Sequence, residues 1–373
     1  MLQRLYASNF RCFQKLELNL DCAPSSLLIG SNGSGKSTVA SVLQIFQQIG
    51  RGVSKLDQLL GARDFMSGHA AEPIRLGLDV ELDGRTFSYS LDLALVEGLG
   101  RLRVLGESVG VDGRAIFLRE QADVALWQEA GGAEVAFSVG CDQVALSSIQ
   151  GRSEQDSLGM FRRWLERMVV LAPQPRQMRG ESVEDTLQPD VSGANLVGWL
   201  AGLLSQFPAA CATLDGYLRE LLPDLQGFHD EVAGSESKRL LVDFEKAGRV
   251  FTLPFEDLSD GEKCFFLGAT IVAANRAYGP LLCFWDAPDN FIALHEVGHF
   301  IVSLRRAFQN KGQLIVTSHN EETILKFSDQ NTWLLGRESH VEPPRIRTLA
   351  ALRQEKKLEG DLMRALIAGE VSV

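Results

Sequence analysis

The sequence predicts an α/β fold in which a central, mostly parallel sheet is combined with an antiparallel β meander and a helical lobe. Three patterns lead to this prediction. Residues 27–29 are an apolar strand that runs into a glycine-rich loop and then a helix, and residues 76–95 alternate between apolar and polar side chains. From residue 281 onward, short buried-strand patterns alternate with helical ones, as in sheets whose strands are joined by helices.

We interpret the 373 residues as one composite domain and find no internal repeat or low-complexity tract in them. Asp-Gly pairs at 83–84 and 112–113 separate alternating runs, which is the strongest short-range signal of a β hairpin, and Gly131-Gly132 is a further candidate turn. The four parts are the first strands with the loop and its helix (1–70), the meander (71–150), a helical lobe that ends in a hairpin (151–256), and a last α/β part that ends in a helix (257–373).

The composition, with 45% hydrophobic and 23% charged residues, is that of a soluble globular protein and excludes a disordered or fibrous class. Asp and Glu number 48 against 37 Lys and Arg, so the net charge is -11. A surface of this charge does not attract phosphate backbones or anionic lipids. Contact with nucleic acid would therefore need a local basic patch or a partner.

The sequence also predicts a cytoplasmic location. The first residues lack the apolar stretch of a signal peptide, and no run of residues is long and apolar enough to span a membrane. No sustained heptad pattern is present, so no coiled-coil arm is expected. Six scattered cysteines without a CxxC pair predict buried thiols in a reducing compartment; they are Cys12, Cys22, Cys141, Cys211, Cys264 and Cys283.

Residues 30–37 have the sequence GSNGSGKS, which fits the pattern G-x-x-x-x-G-K-[ST] between a strand and a helix. In such a loop the glycines let backbone N–H groups surround phosphates, Lys36 reaches the β- and γ-phosphates, and Ser37 can ligate Mg²⁺. The loop therefore predicts a nucleotide site. Its expected binding residues are Gly30, Ser31, Asn32, Gly33, Ser34, Gly35, Lys36, Ser37 and Thr38.

The segment 258–263, LSDGEK, precedes a strongly apolar helix. By itself the segment can be a simple N-cap, with Ser259 or Asp260 as the capping residue. Together with the glycine-rich loop it resembles the signature segment of ABC-type and SMC/RecF-like ATPases. The resemblance implies that Ser259 and Gly261, with Glu262 in the same segment, bind a nucleotide whose γ-phosphate is held by a second protomer.

Residues 281–286 form an apolar strand that ends in Asp286, as in a Walker B segment whose aspartate orients the Mg²⁺ shell. In the ATPases that the chain resembles, the next residue is a glutamate that polarises the attacking water. Here the next residue is Ala287, which accepts no proton, so slow hydrolysis is expected. The alanine is either a natural departure from the pattern or a substitution that traps the ATP-bound dimer. Asp289 and Glu296 are nearby carboxylates, but neither lies at the position of the glutamate.

Three further residues are assigned by resemblance to the same ATPases. His319 follows a buried strand and matches the switch histidine that contacts the γ-phosphate. Arg11 lies in an Asn-Phe-Arg segment, where a basic residue can approach the nucleotide. A glutamine that senses the γ-phosphate through the Mg²⁺ shell is also expected, and Gln174 and Gln150 both remain candidates, with Gln174 preferred as the metal-linked residue.

Taken together, these segments resemble the stand-alone ATPases of the ABC/SMC group, including stretches at 188–200 and 360–370. The resemblance implies an α/β P-loop NTPase of the ABC-ATPase type with ATP and Mg²⁺ as cofactors. It also implies a homodimer that ATP closes and hydrolysis opens, and a protein effector such as a nuclease or toxin in phage or mobile-element defence. No membrane partner is expected.

Two alternative functions remain. A RecF-like DNA-repair ATPase would bind DNA in an ATP-dependent and salt-sensitive manner, which the net charge does not favour. A zinc hydrolase is suggested by His295-Glu296-Val297-Gly298-His299, a literal H-E-x-x-H with Glu296 as general base and Glu321 or Glu322 as third ligand. The segment lies where the resembling ATPases carry the loop and helix after Walker B, so surface or interface roles for the histidines are preferred.

Overall fold

The computed structural model describes residues 1–20, 23–96, 100–127, 135–149, 156–233, 237–339 and 342–356. The strands are β1 (Leu2–Phe10), β2 (Phe13–Asn19), β3 (Ser25–Gly30), β4 (Ile74–Leu82), β5 (Arg85–Val96), β6 (Arg101–Val111), β7 (Arg114–Glu120), β8 (Asp123–Leu126), β9 (Val135–Ser138), β10 (Val169–Leu171), β11 (Glu181–Ser182), β12 (Leu225–Ala233), β13 (Ser237–Lys246), β14 (Arg249–Pro254), β15 (Leu282–Trp285), β16 (Gln313–Thr317), β17 (Thr332–Gly336) and β18 (Arg345–Thr348). The helices are α1 (Lys36–Gly50), α2 (Leu56–Leu59), α3 (Ser157–Glu166), α4 (Leu196–Gln206), α5 (Ala210–Leu221), α6 (Asp260–Tyr278), α7 (Leu294–Phe308), α8 (Glu321–Leu325) and α9 (Leu349–Lys356).

The chain divides into two compact units, of which the first comprises residues 1–23, 30–168 and 333 onward. Its main element is an eight-stranded antiparallel sheet in the order β2-β1-β4-β5-β6-β7-β8-β9. Both predicted Asp-Gly turns are present, and both residues of each turn have positive φ, 49° and 76° at 83–84 and 49° and 79° at 112–113. The predicted meander is therefore confirmed, while the candidate turn at 131–132 lies outside the described residues.

Helix α1 is fixed to the first unit by its apolar face. Val39, Val42, Leu43, Phe46 and Ile49 are all buried, at the spacing from which the helix is predicted. The Phe46 ring meets the Tyr89 ring edge-on with centroids 5.6 Å apart, and the Gln47 side-chain amide donates to the carbonyl of Met168 at 2.5 Å. These contacts hold the helix that begins directly after the glycine-rich loop.

The second unit comprises residues 24–29 and 169–332. Its parallel strands lie in the order β10-β15-β16-β3, and α6 supplies much of its core because it is buried on nearly all sides. A separate antiparallel sheet has the order β11-β13-β12, with β14 beside β13. The pair β13 and β14 corresponds to the predicted hairpin, whereas β12 lies in the part predicted as mostly helical.

The cysteine prediction is only partly right. Cys264 and Cys283 are buried, and burial raises the pKa of the Cys264 thiol to about 12. Cys141 and Cys211 are exposed; Cys141 lies in a loop, and Cys211 lies in the first turn of α5. Among the helices of the described part of the chain, none is long and apolar enough to cross a membrane.

Candidate functional site

Three neighbouring parallel strands of the second unit end at one edge of the sheet. Leu27 of β3 pairs with Val316 of β16, and Val316 pairs with Trp285 of β15. The N–H of Ser318, just beyond β16, donates to the carbonyl of Leu28 at 3.3 Å. The chain continues from these three strand ends into the glycine-rich loop, into Ser318-His319 and into Asp286. The ends of parallel strands are where α/β sheets bind their ligands.

The glycine-rich loop needs glycine at two positions because the backbone is crowded there. Gly30 has φ 151°, and a Cβ at this residue would lie 2.0 Å from the carbonyl oxygen of Leu335. Gly35 has φ 103°, and a Cβ there would lie 2.6 Å from Cζ of Phe13. Both positions combine a positive φ with a close neighbour, so a side chain would open the loop.

The loop has the properties of an anion cradle. Lys36 is 9% exposed, and its Nζ donates to the carbonyls of Gly30 at 2.7 Å and Ser31 at 3.1 Å. Helix α1 begins at Lys36 with no side-chain cap and no acidic residue in its first turn. Ser34 Oγ is buried, and none of the residues that the structure describes forms a hydrogen bond with it. An uncapped helix start, a buried amine and an unused hydroxyl suit a phosphate group.

The residues predicted to hold Mg²⁺ have suitable donor atoms. Ser37 supplies a hydroxyl oxygen and Asp286 a carboxylate, and hard oxygen donors are what Mg²⁺ prefers. The Asp286 carboxylate accepts a hydrogen bond from Thr317 Oγ1, which fixes it to the end of β16. The Asp286 carboxylate is therefore a fixed oxygen donor of the kind that suits a magnesium ion.

Ala287 adopts a left-handed backbone conformation directly after Asp286. Its φ is 50°, and its N–H donates to Thr317 Oγ1 at 2.9 Å. Thr317 therefore contacts both residues that follow β15, since the same hydroxyl donates to Asp286. The backbone of residue 287, where a glutamate is expected, is thus held by contacts that do not involve the side chain of that residue.

Arg11 lies next to the helix that follows the loop. Its backbone has φ 53°, its Nε donates to Asp64 Oδ1 at 2.7 Å, and its Nη1 donates to Ser41 Oγ at 2.5 Å. Ser41 is one helical turn beyond Ser37 on α1. The guanidinium is 41% exposed, so Arg11 is a half-exposed residue near the start of α1, already paired with a buried carboxylate.

The signature-like segment forms a complete capping box at the start of α6. Glu262 N–H donates to Ser259 Oγ at 3.3 Å, and Ser259 N–H donates to Glu262 Oε2 at 2.7 Å. A Cβ at Gly261 would lie 2.9 Å from the carbonyl oxygen of Phe291, so glycine is required by this close approach. Ser259 therefore has the helix-capping role that the sequence allows for it, and the Glu262 carboxylate accepts a hydrogen bond within the cap.

Gln174 follows β10, the strand that pairs with β15. Its N–H donates to the carbonyl of Ser192 at 2.9 Å, and its Oε1 accepts from Gln177 Nε2 at 2.5 Å. Asp286 N–H donates to the carbonyl of Leu171 at the end of β10, so Gln174 follows a strand that ends beside Asp286. The other candidate, Gln150, lies outside the described residues.

The H-E-x-x-H segment forms the first turns of α7. His295 and His299 are both exposed and line an open groove with Glu321, Glu322 and Lys326. Lys326 Nζ lies 3.6 Å from Glu322 Oε2, so one of the two glutamates considered as third ligand is paired with a cation. Among the described residues, no group of three or more His, Cys, Asp or Glu side chains is arranged to hold a metal ion. The described residues of this groove therefore offer a zinc ion the two exposed imidazoles of His295 and His299, but no third ligand.

From the sequence, Asp289 is not expected to replace the missing glutamate, because it does not lie at that position. In the structure it is a central polar residue of this region. It is 5% exposed and accepts hydrogen bonds from the hydroxyls of Ser318 and Thr323. Its partners lie 29 and 34 residues away along the chain. Spacing alone could not reveal them, and the only available signal was the carboxylate three positions after Asp286.

The chain has an α/β P-loop fold similar to that of SMC head domains. A family model described as an AAA ATPase domain matches residues 1–68. A solved SMC head bound to the C-winged helix domain of ScpA is 14% identical, with 94% of this chain and 99% of that chain covered and a TM-score of 0.58.

A second solved structure, an SMC head with an extended coiled coil bound to the C-terminal domain of ScpA from Pyrococcus furiosus, is 12% identical. The comparison covers 95% of this chain and 98% of that chain, with a TM-score of 0.55. No curated protein sequence matches the chain. At these identities the structural likeness establishes the fold, which is the one expected from the sequence.

Proposed function

We propose that this protein is an ATP-driven conformational switch that binds ATP and Mg²⁺ and closes as a homodimer. The observation that carries the proposal is the glycine-rich loop at 30–37, with its crowded glycines, buried Lys36 amine and uncapped helix start. The SMC-head fold supports an ATPase of the SMC/ABC-like type. Each nucleotide would lie between the loop of one protomer and the Ser259–Gly261 segment of its partner.

Within each protomer the proposed roles follow the chemistry of the side chains. Lys36 would neutralise the phosphates. Ser37 and Asp286 would hold a magnesium ion, which would polarise phosphate oxygens as a Lewis acid. His319 contacts the γ-phosphate, Gln174 reports on the metal shell, and Arg11 adds positive charge near the start of α1. With Ala287 in place of a general base, the closed state would be long-lived.

ATP with Mg²⁺ is expected to convert the protein from a monomer of 41.0 kDa to a species of twice that mass. Size-exclusion chromatography with light scattering measures this directly, with phosphate release followed on the same samples. ADP with Mg²⁺ is the control and should leave the mass unchanged, since it lacks the γ-phosphate that both protomers would share. An unchanged mass with ATP, together with no ATP binding by calorimetry, would show that the proposal is wrong.

Two substitutions at Ser259 separate its capping role from its proposed contact with the partner's nucleotide. Ser259→Ala removes the cap and is expected to cost about 1 kcal/mol of unfolding free energy, because a helix-start N–H loses its acceptor. Ser259→Asp keeps a capping oxygen and should unfold like the parent, but it places a negative charge where the partner's γ-phosphate would lie.

The distinguishing measurement is the mass with ATP after the thermal unfolding midpoint has been recorded for each variant. Ser259→Asp should remain monomeric with ATP although its stability is preserved. A Ser259→Asp protein that dimerises like the parent would restrict Ser259 to its role as a cap.

We further propose that the closed dimer acts on a partner protein, such as a nuclease or toxin, in phage or mobile-element defence. The two solved SMC heads are described as bound to domains of ScpA, which supports a protein partner for this fold. Affinity capture in ATP and in ADP tests this proposal, with recovery of an ATP-dependent partner and altered phage sensitivity on deletion as the expected results. ATP-dependent, salt-sensitive DNA binding in place of a protein partner would favour the RecF-like alternative.

A further inference from the structure

The segment that follows Asp286 is a tight turn with a buried carboxylate at its centre. The N–H of Asn290 donates to the carbonyl of Ala287 at 3.3 Å, and the N–H of Ile292 donates to the carbonyl of Asp289 at 3.2 Å. The Asp289 side chain points inward and is 5% exposed. A buried carboxylate is stable only if its oxygens receive hydrogen bonds.

The hydrogen bonds to Asp289 come from the residues around His319. Ser318 Oγ and Thr323 Oγ1 both donate to Asp289 Oδ2, and both residues are fully buried. Ser318 Oγ in turn accepts the N–H of Asn320 at 2.8 Å. One carboxylate oxygen is therefore connected to the residues on both sides of His319 and to the first turns of α8.

The His319 side chain is exposed. His319 follows β16, and the hydrogen bonds described above hold the backbone at its two neighbours, Ser318 and Asn320. The position of its imidazole thus depends on the backbone from Ser318 to Asn320. Water does not replace hydrogen bonds in a fully buried cluster, so loss of the carboxylate would leave two buried hydroxyls without an acceptor. The backbone around His319 would then be held less tightly.

We propose that Asp289 is a positioning residue that holds the Ser318–Asn320 backbone so that His319 faces the edge where β3, β15 and β16 end. Asp289 acts through these hydroxyls and does not touch the nucleotide. The inference rests on the proposed function, because it gives His319 a nucleotide to contact.

The test follows the His319 imidazole directly, so it does not depend on turnover. Protein carrying ¹³C-labelled histidine gives one Cε1 signal for each of the 6 histidines, and the variant His319→Gln identifies the signal of His319. ATP with Mg²⁺ is added to the parent, to Asp289→Ala, which removes both acceptor oxygens, and to Thr323→Val. Thr270→Val is the matched control, because Thr270 is an equally buried threonine whose hydroxyl donates within α6, to the carbonyl of Phe266.

In the parent and in Thr270→Val, ATP should shift the His319 signal. In Asp289→Ala and Thr323→Val the shift should fall by about threefold or more, because a loosely held side chain averages over many positions. Calorimetry should give ATP affinities within about threefold of the parent for Asp289→Ala, Thr323→Val and Thr270→Val, since the glycine-rich loop is unchanged in all three. If Asp289→Ala does not fold, Thr323→Val carries the same test, because it removes a donor and leaves the carboxylate in place.

The outcomes separate this inference from the proposed function. A parent that binds ATP with a shifted His319 signal, together with variants whose shift is equal to that of the parent, would overturn the role of Asp289 alone. A parent that binds ATP without any shift at His319 would overturn the role of His319 and, with it, this inference. A parent that binds no ATP would contradict the proposed function itself.

Discussion

ATP binding is expected to weaken by roughly 30-fold to several-thousand-fold when Lys36 is replaced by methionine. Removal of one partner from a buried, charge-assisted contact costs about 2–5 kcal/mol, and about 1.4 kcal/mol corresponds to a factor of ten in affinity. The Lys36 amine is suited to such a contact because it is buried and already directed at the loop, through the carbonyls of Gly30 and Ser31. Calorimetric titration of ATP with Mg²⁺ into dilute protein measures the loss.

Lys263→Met is the matched control for this experiment. Lys263 is 7% exposed, and its Nζ donates to the carbonyl of Glu256 at 2.8 Å, so it is also a buried lysine that bonds a main-chain carbonyl. Its loss should lower stability without changing the affinity of a monomer for ATP. If Lys36→Met binds ATP as tightly as the control does, the glycine-rich loop does not bind phosphates and the proposed site is wrong.

The sequence predicts those features that depend on neighbouring residues. The strand, loop and helix from residue 25 to 50 are local, and so are the two Asp-Gly turns, because the conformation of each is set by a few consecutive side chains. The capping box is local as well, with Ser259 and Glu262 three residues apart. Such features can be recognised without knowledge of the tertiary structure.

The features that the sequence does not predict depend on distant contacts. The hydroxyl partners of Asp289 come from another strand end and from α8, and the exposure of Cys211 in the first turn of α5 depends on what packs against that helix. Strand β12 was missed because its alternation is weak, with exposed residues on most of its length, and it is fixed by pairing with β13. Tertiary context decides these positions.

Ala287→Glu is expected to raise the rate of ATP hydrolysis by about 10²–10⁴-fold, the usual contribution of a positioned general base. The backbone at residue 287 already has a conformation and a hydrogen bond that glutamate can keep. Ala287 already has a left-handed backbone with φ 50°. Glutamate, whose Cβ is unbranched beyond one substituent, has a conformational free-energy cost there similar to that of alanine. Its N–H bond to Thr317 Oγ1 belongs to the backbone, so glutamate should keep it. Stability should therefore change little, while phosphate release per protomer rises.

Ala287→Gln is the control that isolates the base, because glutamine has nearly the same size and the same backbone requirement but accepts no proton at neutral pH. The glutamine variant should bind ATP and dimerise without turnover, like the parent. The glutamate variant should dimerise only transiently, because hydrolysis would reopen it, so its average mass with ATP should fall back as phosphate accumulates. Equal rates for the two variants would mean that the residue after Asp286 is not where the base acts, and that another group controls the lifetime of the closed dimer.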